Sequence, residues 1–103
     1  MPKYVLAYHG GSMPDTPAAQ EQTMTAWVNW FTSLGAAVLD GGNPTGQSKT
    51  VKAGGITDGG GANPLSGYSL LEAANIDDAV AKAKGCPILA AGGSVEVAET
   101  IDM

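Results

Sequence analysis

From Lys3 to His9 the chain is almost continuously apolar, with Tyr4-Val5-Leu6-Ala7-Tyr8 at its centre. Such continuity predicts a strand buried on both faces. Gly10-Gly11 breaks the run, and Ser12–Thr16 reads as a loop. Thr16 followed by Pro17 is a helix N-cap with proline at the first helical position. Beyond it, Met24, Trp27, Val28, Phe31 and Leu34 recur at i, i+3, i+4 and i+7, the spacing of one apolar helical face. The pattern predicts a helix to Leu34, closed by Gly35, with Trp27 in the core stripe and Trp30 at its edge.

Ala36–Asp40 reads as a second strand. Residues 41–66 then hold eight glycines and two prolines, too long a stretch to stay structureless inside a small domain. Lys49–Lys52 and Ile56-Thr57 are its strand-like pieces, which predicts a short hairpin turning at Ala53-Gly54-Gly55. A flexible Asp58–Pro64 segment follows, and then a strand over Gly67–Ala73. Asn75 caps a second helix, with Asp77 and Asp78 in its first turn and Lys82 and Lys84 in its last, an order that complements the helix dipole. Gly85 and Pro87 stop that helix, and Ser94–Ala98 forms a final strand.

The order is β-α-β, an inserted hairpin, then β-α-β. This predicts an α+β domain of ferredoxin-like βαββαβ type over residues 1–103, an antiparallel sheet with both helices on one face. No third helix is available for the other face. A homodimer that pairs two such sheets would cover it.

The same order resembles the small bacterial YCII-related proteins, in the branch named for an Asp-Gly-Pro-Phe motif. The residues that carry the resemblance are Gly67-Tyr68-Ser69-Leu70-Leu71-Glu72-Ala73, Gly92-Gly93-Ser94-Val95-Glu96-Val97 and Leu34-Gly35-Ala36-Ala37-Val38-Leu39-Asp40-Gly41-Gly42, within a span from Lys3 to Val97. The resemblance implies a dimeric α/β barrel. The name-giving motif stands here as Asp58-Gly59-Gly60-Gly61. Family members often carry a histidine on the first helix that works with an acidic residue. That place falls near Met24, so the family's acid/base pair has no counterpart on this helix.

Charge narrows the classes of function. The net charge is −5, and all five basic residues are lysines. Without arginine, the planar fork that grips phosphates and guanine edges is absent, and there is no basic stripe. Neither nucleic acid nor an anionic membrane surface is an expected partner. No apolar run reaches the length of a membrane span, and the first residues lack the pattern of a signal peptide. The expectation is a soluble cytoplasmic protein. One cysteine excludes an internal disulfide and a cysteine-cluster metal site, and no cofactor is implied.

His9 is the one imidazole, and it can act as an acid or base near neutrality. Asp40 closes the second strand. The two are the candidate catalytic pair, and they meet only if their strand ends coincide. The plainer readings are a strand-end histidine bonded locally and an aspartate in turn chemistry before Gly41-Gly42. Tyr8, Trp30 and Tyr68 are the candidate ligand-pocket residues, with Tyr4 as a further aromatic. Cys86 reads as a packing residue, because a helix C-terminus disfavours a thiolate. The glycine-rich stretch is no phosphate loop, since no Gly-Lys-Ser/Thr opens a helix.

Two functions remain. One is a protein that binds a small organic molecule within the dimer barrel, with isomerase- or lyase-like acid/base chemistry as its enzymatic form. The other is a non-catalytic accessory or regulatory dimerisation module.

Overall fold

Alternation along the strands decides how this chain packs. Tyr4, Leu6 and Tyr8 point to one face of β1 (Lys3–His9) and are buried, while Val5, Ala7 and His9 point to the other and are only half-buried. The computed structural model describes residues 1–103. After β1 come α1 (Pro17–Leu34), β2 (Val38–Asp40), β3 (Lys49–Lys52), β4 (Gly55–Asp58), β5 (Leu65–Glu72), α2 (Ile76–Ala83) and β6 (Ser94–Glu99).

Four strands form one antiparallel sheet in the order β2-β5-β1-β6. The fold is α+β, and this order is compatible with a small ferredoxin-like domain. The strands β3 and β4 stand apart as a separate antiparallel hairpin, with Val51 opposite Ile56. Both of those side chains are exposed.

Local chemistry sets the helix limits. Thr16 Oγ1 accepts the Ala19 amide at 3.2 Å, and Pro17 opens α1 without an amide to leave unpaired. Gly35, at φ 57°, donates back to Phe31 and Thr32 and ends the helix. Asn75 Oδ1 accepts the Asp78 amide at 2.9 Å at the start of α2. Asp78 in turn takes the Lys82 ammonium at 2.8 Å and the Ala74 amide at 3.0 Å. These bonds hold its carboxyl below the usual range.

Both helices pack on the same sheet face. Trp30 from α1, Ala83 from α2, and Cys86 and Ile88 just beyond it surround Leu6, Tyr8 and Leu71, while Ala79 closes on Tyr4 and Ala73. The face of α1 that reaches the core is not the one the simple spacing predicts. Met24 and Val28 are 61% and 58% exposed, whereas Trp30 is 6% exposed. The stripe is rotated to Thr23, Trp27, Trp30, Phe31 and Leu34, which has the same helical spacing. Two contacts explain the rotation. Trp30 Nε1 donates to the Lys82 carbonyl at 3.0 Å, and Gly85 has no side chain to block the indole.

The molecule is a slab of 43 × 43 × 18 Å, and only 12 of its 103 residues are buried. One layer of helices on one side of one sheet gives this shape. Val5, Ala7, Tyr68 and Leu70 form an apolar strip on the uncovered side, all half-buried.

Cys86 is 3% exposed and has no disulfide partner. Burial pushes its thiol up to about 11, so near pH 8 it is almost entirely protonated and inert. Native protein should resist iodoacetamide at pH 8 for hours, and urea-unfolded protein should alkylate within minutes. The raised value also sets a direction for stability. The unfolded thiol ionises first, so this group's contribution is intact below about pH 8.5 and lost as pH rises through about 11.

Candidate functional site

A groove of about 450 Å³ opens between α1 and the ends of β1 and β2. Trp27, Phe31 and Tyr8 form its aromatic wall, Ile88 and Pro87 its far side, and Met24 its rim. Tyr8 meets Trp27 edge-on at 5.2 Å between ring centroids. Trp27 continues to Trp30 at 5.7 Å and to Phe31 at 5.9 Å. Ring contacts of this kind add to the burial energy and fix ring orientation.

Glycines bring the backbone close to the groove. Gly42 lines it at φ 71°, and a Cβ there would lie 1.7 Å from the Tyr68 carbonyl oxygen. Asp40 Oδ1 accepts the Gly42 amide at 2.8 Å, the turn bond that aspartate commonly makes two residues on. Gly11, at φ 82°, lies against Ile88, and a Cβ added to it would stand 3.0 Å from Ile88 Cγ1.

At the inner wall the Tyr8 hydroxyl donates to Ser69 Oγ at 2.7 Å, and Ser69 donates on to the Gly41 carbonyl at 2.7 Å. A carbonyl only accepts, so the direction of this chain is fixed. The Tyr8 proton is committed inward. Burial raises its phenol far above the ordinary range, and the bond to Ser69 offsets this only in part. Tyr8 is therefore a neutral, oriented ring in the wall. Tyr8→Phe should cost about 1–2 kcal/mol, because Ser69 loses a buried donor. Urea denaturation with an unchanged slope would check this.

The sequence pattern predicts Tyr8, Trp30 and Tyr68 as pocket residues. Tyr8 and Tyr68 line the groove, but Trp30 does not. Its buried indole is tied to Lys82 instead, and Trp27 takes the wall position. A buried tryptophan needs a partner for its N–H, and here that partner is the Lys82 carbonyl, 52 positions along the chain.

His9 and Asp40 are not brought together. The register places Asp40 beside Leu70, which is level with Val5, and β5 lies between β1 and β2. The two residues are thus separated by roughly 13 Å along the strands and about 9–10 Å across them. Neither lines the groove.

His9 has a different carboxylate partner, Glu96 of β6. Its Nδ1 lies 3.0 Å from the Asn63 carbonyl and 3.3 Å from that of Pro64, so Nδ1 carries the proton. Nε2 faces Glu96 Oε1 at 3.4 Å. With the ring neutral, that buried nitrogen offers a lone pair to a carboxylate and has no hydrogen-bond partner. With the ring protonated, the same contact is an ion pair. His9 thus ties the glycine-rich 59–64 segment to the sheet. His9→Ala should speed amide exchange across Gly59–Asn63 and cost around 1 kcal/mol, leaving exchange in β5 unchanged.

No group of three or more histidine, cysteine or acidic side chains converges to hold a metal ion. No helix is long and apolar enough to cross a membrane. Comparison with protein-family models and with curated proteins finds no match to this chain.

Proposed function

We propose that this chain is a small-molecule-binding protein whose ligand lies in the groove beneath α1. It belongs, on this reading, with the YCII-related proteins, two copies joining sheet to sheet as a dimeric α/β barrel. One observation carries the ligand assignment. Trp27, Phe31 and Tyr8 present aromatic surface to about 450 Å³ of space that no side chain of the chain fills. That volume falls within the range of small-molecule sites, roughly 300–1,000 Å³.

The dimer rests on the uncovered strip of Val5, Ala7, Tyr68 and Leu70 and on the small number of buried residues. A domain of this size buries only about 60–70% of its unfolded surface, so covering the strip would add to its stability. Sedimentation at micromolar concentration should give about twice the chain mass. A stable monomer would remove the barrel.

The groove wall holds the Tyr8 phenol, its proton held by Ser69, but no carboxylate, imidazole or amine side chain. This supports binding, or an accessory role built on binding, over acid/base catalysis in the groove. An isomerase- or lyase-like reaction would run through His9 and Glu96 on the opposite sheet face. The test is a thermal-shift and calorimetric screen of small organic molecules on wild type, Trp27→Ala and His9→Ala. A ligand of the groove should lose binding in Trp27→Ala and keep it in His9→Ala. The reverse pattern would move the site to the open sheet face.

A further inference from the structure

We infer that the groove selects an uncharged, flat, largely aromatic molecule, and that it rejects anions and cations of the same shape. The inference rests on the groove being a small-molecule site. Fifteen per cent of this chain is charged, yet none of the 19 residues that line the groove is charged. A charged ligand entering it would shed water without gaining an opposite charge, a loss far larger than that of a neutral group.

Shape narrows the class further. The wall is an edge-to-face array in which Trp27 meets Tyr8 at 78° between ring planes. Phe31 is tilted by 40° from Trp27. An array of this kind leaves ring faces and edges for a planar partner, and aromatic pairs favour such offset or edge contacts. Tyr8 offers its ring and not its proton, since that proton is held by Ser69. The polar groups that remain are neutral: Asn43, Gln20, whose Nε2 already donates to the Pro14 carbonyl, and Thr23, whose hydroxyl donates to the Ala19 carbonyl and is left to accept. They suit a hydroxyl or amide at the ligand's edge. Met13 and Met24 stand at the rim, 70% and 61% exposed. Their flexible thioethers can fold over an aromatic surface.

Three probes with one bicyclic skeleton separate the possibilities: naphthylmethanol, naphthoate and naphthylmethylammonium, titrated calorimetrically into the full chain at pH 7. The neutral alcohol should bind at least about tenfold more tightly than either ion, since each ion is desolvated without a partner. Met24→Glu, at an exposed position where folding is not at stake, should weaken the alcohol and leave Tm unchanged. Tighter binding of naphthoate or of the ammonium, still sensitive to Met24→Glu, would overturn the ligand class while keeping the groove as a small-molecule site. Binding of none of the three, or binding indifferent to Met24→Glu and Trp27→Ala, would overturn the groove reading as well. Occupation of the groove by a second copy of the chain would appear as such indifference, together with Met24→Glu shifting the sedimentation mass.

Discussion

Trp30→Ala should lower folding stability by about 3–5 kcal/mol, the cost of truncating a fully packed large aromatic side chain. The indole is 6% exposed, it contacts Trp27 and Phe31, and its N–H satisfies the carbonyl of Lys82 at the end of α2. Removing it leaves a cavity between the two helices, and the Lys82 carbonyl keeps only its longer backbone bond from the Gly85 amide at 3.4 Å. Trp27→Ala should cost less, around 1–2 kcal/mol, because that side chain is only half-buried. Its larger effect should be on ligand affinity. Urea denaturation of both variants measures the contrast. Equal losses would mean that the two indoles share one environment, contrary to the rotated stripe.

Gly42→Ala is the second large effect. The residue sits at φ 71°, where an L side chain is strained by about 1 kcal/mol. The added Cβ would meet the Tyr68 carbonyl at 1.7 Å, and backbone cannot yield as the tip of a side chain can. Overpacking of this sort adds about 1–3 kcal/mol, so the variant should lose roughly 2–4 kcal/mol in all. The Gly41–Pro44 wall must move away from β5 to relieve the clash, so the groove should lose its ligand too. Gly46→Ala is the control, since nothing lies within 4 Å of its added Cβ and its φ is ordinary. It should be neutral in both measurements.

Much of the fold was legible because several local signals agreed. Thr16-Pro17, Gly35 and Asn75 mark helix ends by hydrogen-bond chemistry that does not depend on distant packing, and all three act as caps or stops. The hairpin between Lys49 and Asp58 followed from its glycines. Where signals were degenerate, the sequence could not decide. Two stripes on α1 have the same spacing, and a tertiary bond from Trp30 to Lys82, 52 positions away, selects between them. The reading of β1 as buried on both faces failed on one side, because both helices pack on the face of Tyr4, Leu6 and Tyr8 and no element of the chain packs on the other.

The site was less legible than the fold. His9 and Asp40 are lone chemical groups at strand ends in the sequence, but register is a property of pairing, and pairing keeps them apart. Glu96 reaches His9 only because β6 returns beside β1, which places Ser94 opposite His9 and Glu96 opposite Ala7. The groove itself is made by loops after β1 and β2 meeting α1. Nothing in the local pattern of Gly10-Gly11 or Gly41-Gly42 announces that meeting.

The chain has two tryptophans, and this makes one measurement decisive for the groove. Their indole N–H groups give two NMR resonances, which Trp27→Phe and Trp30→Phe assign. Titration with a bound small molecule should move the Trp27 resonance in proportion to occupancy. The Trp30 resonance, held against the Lys82 carbonyl, should stay nearly in place. Shifts confined to Val5, Ala7 and His9, with the Trp27 resonance unmoved at saturation, would contradict the account and put the ligand on the open face of the sheet.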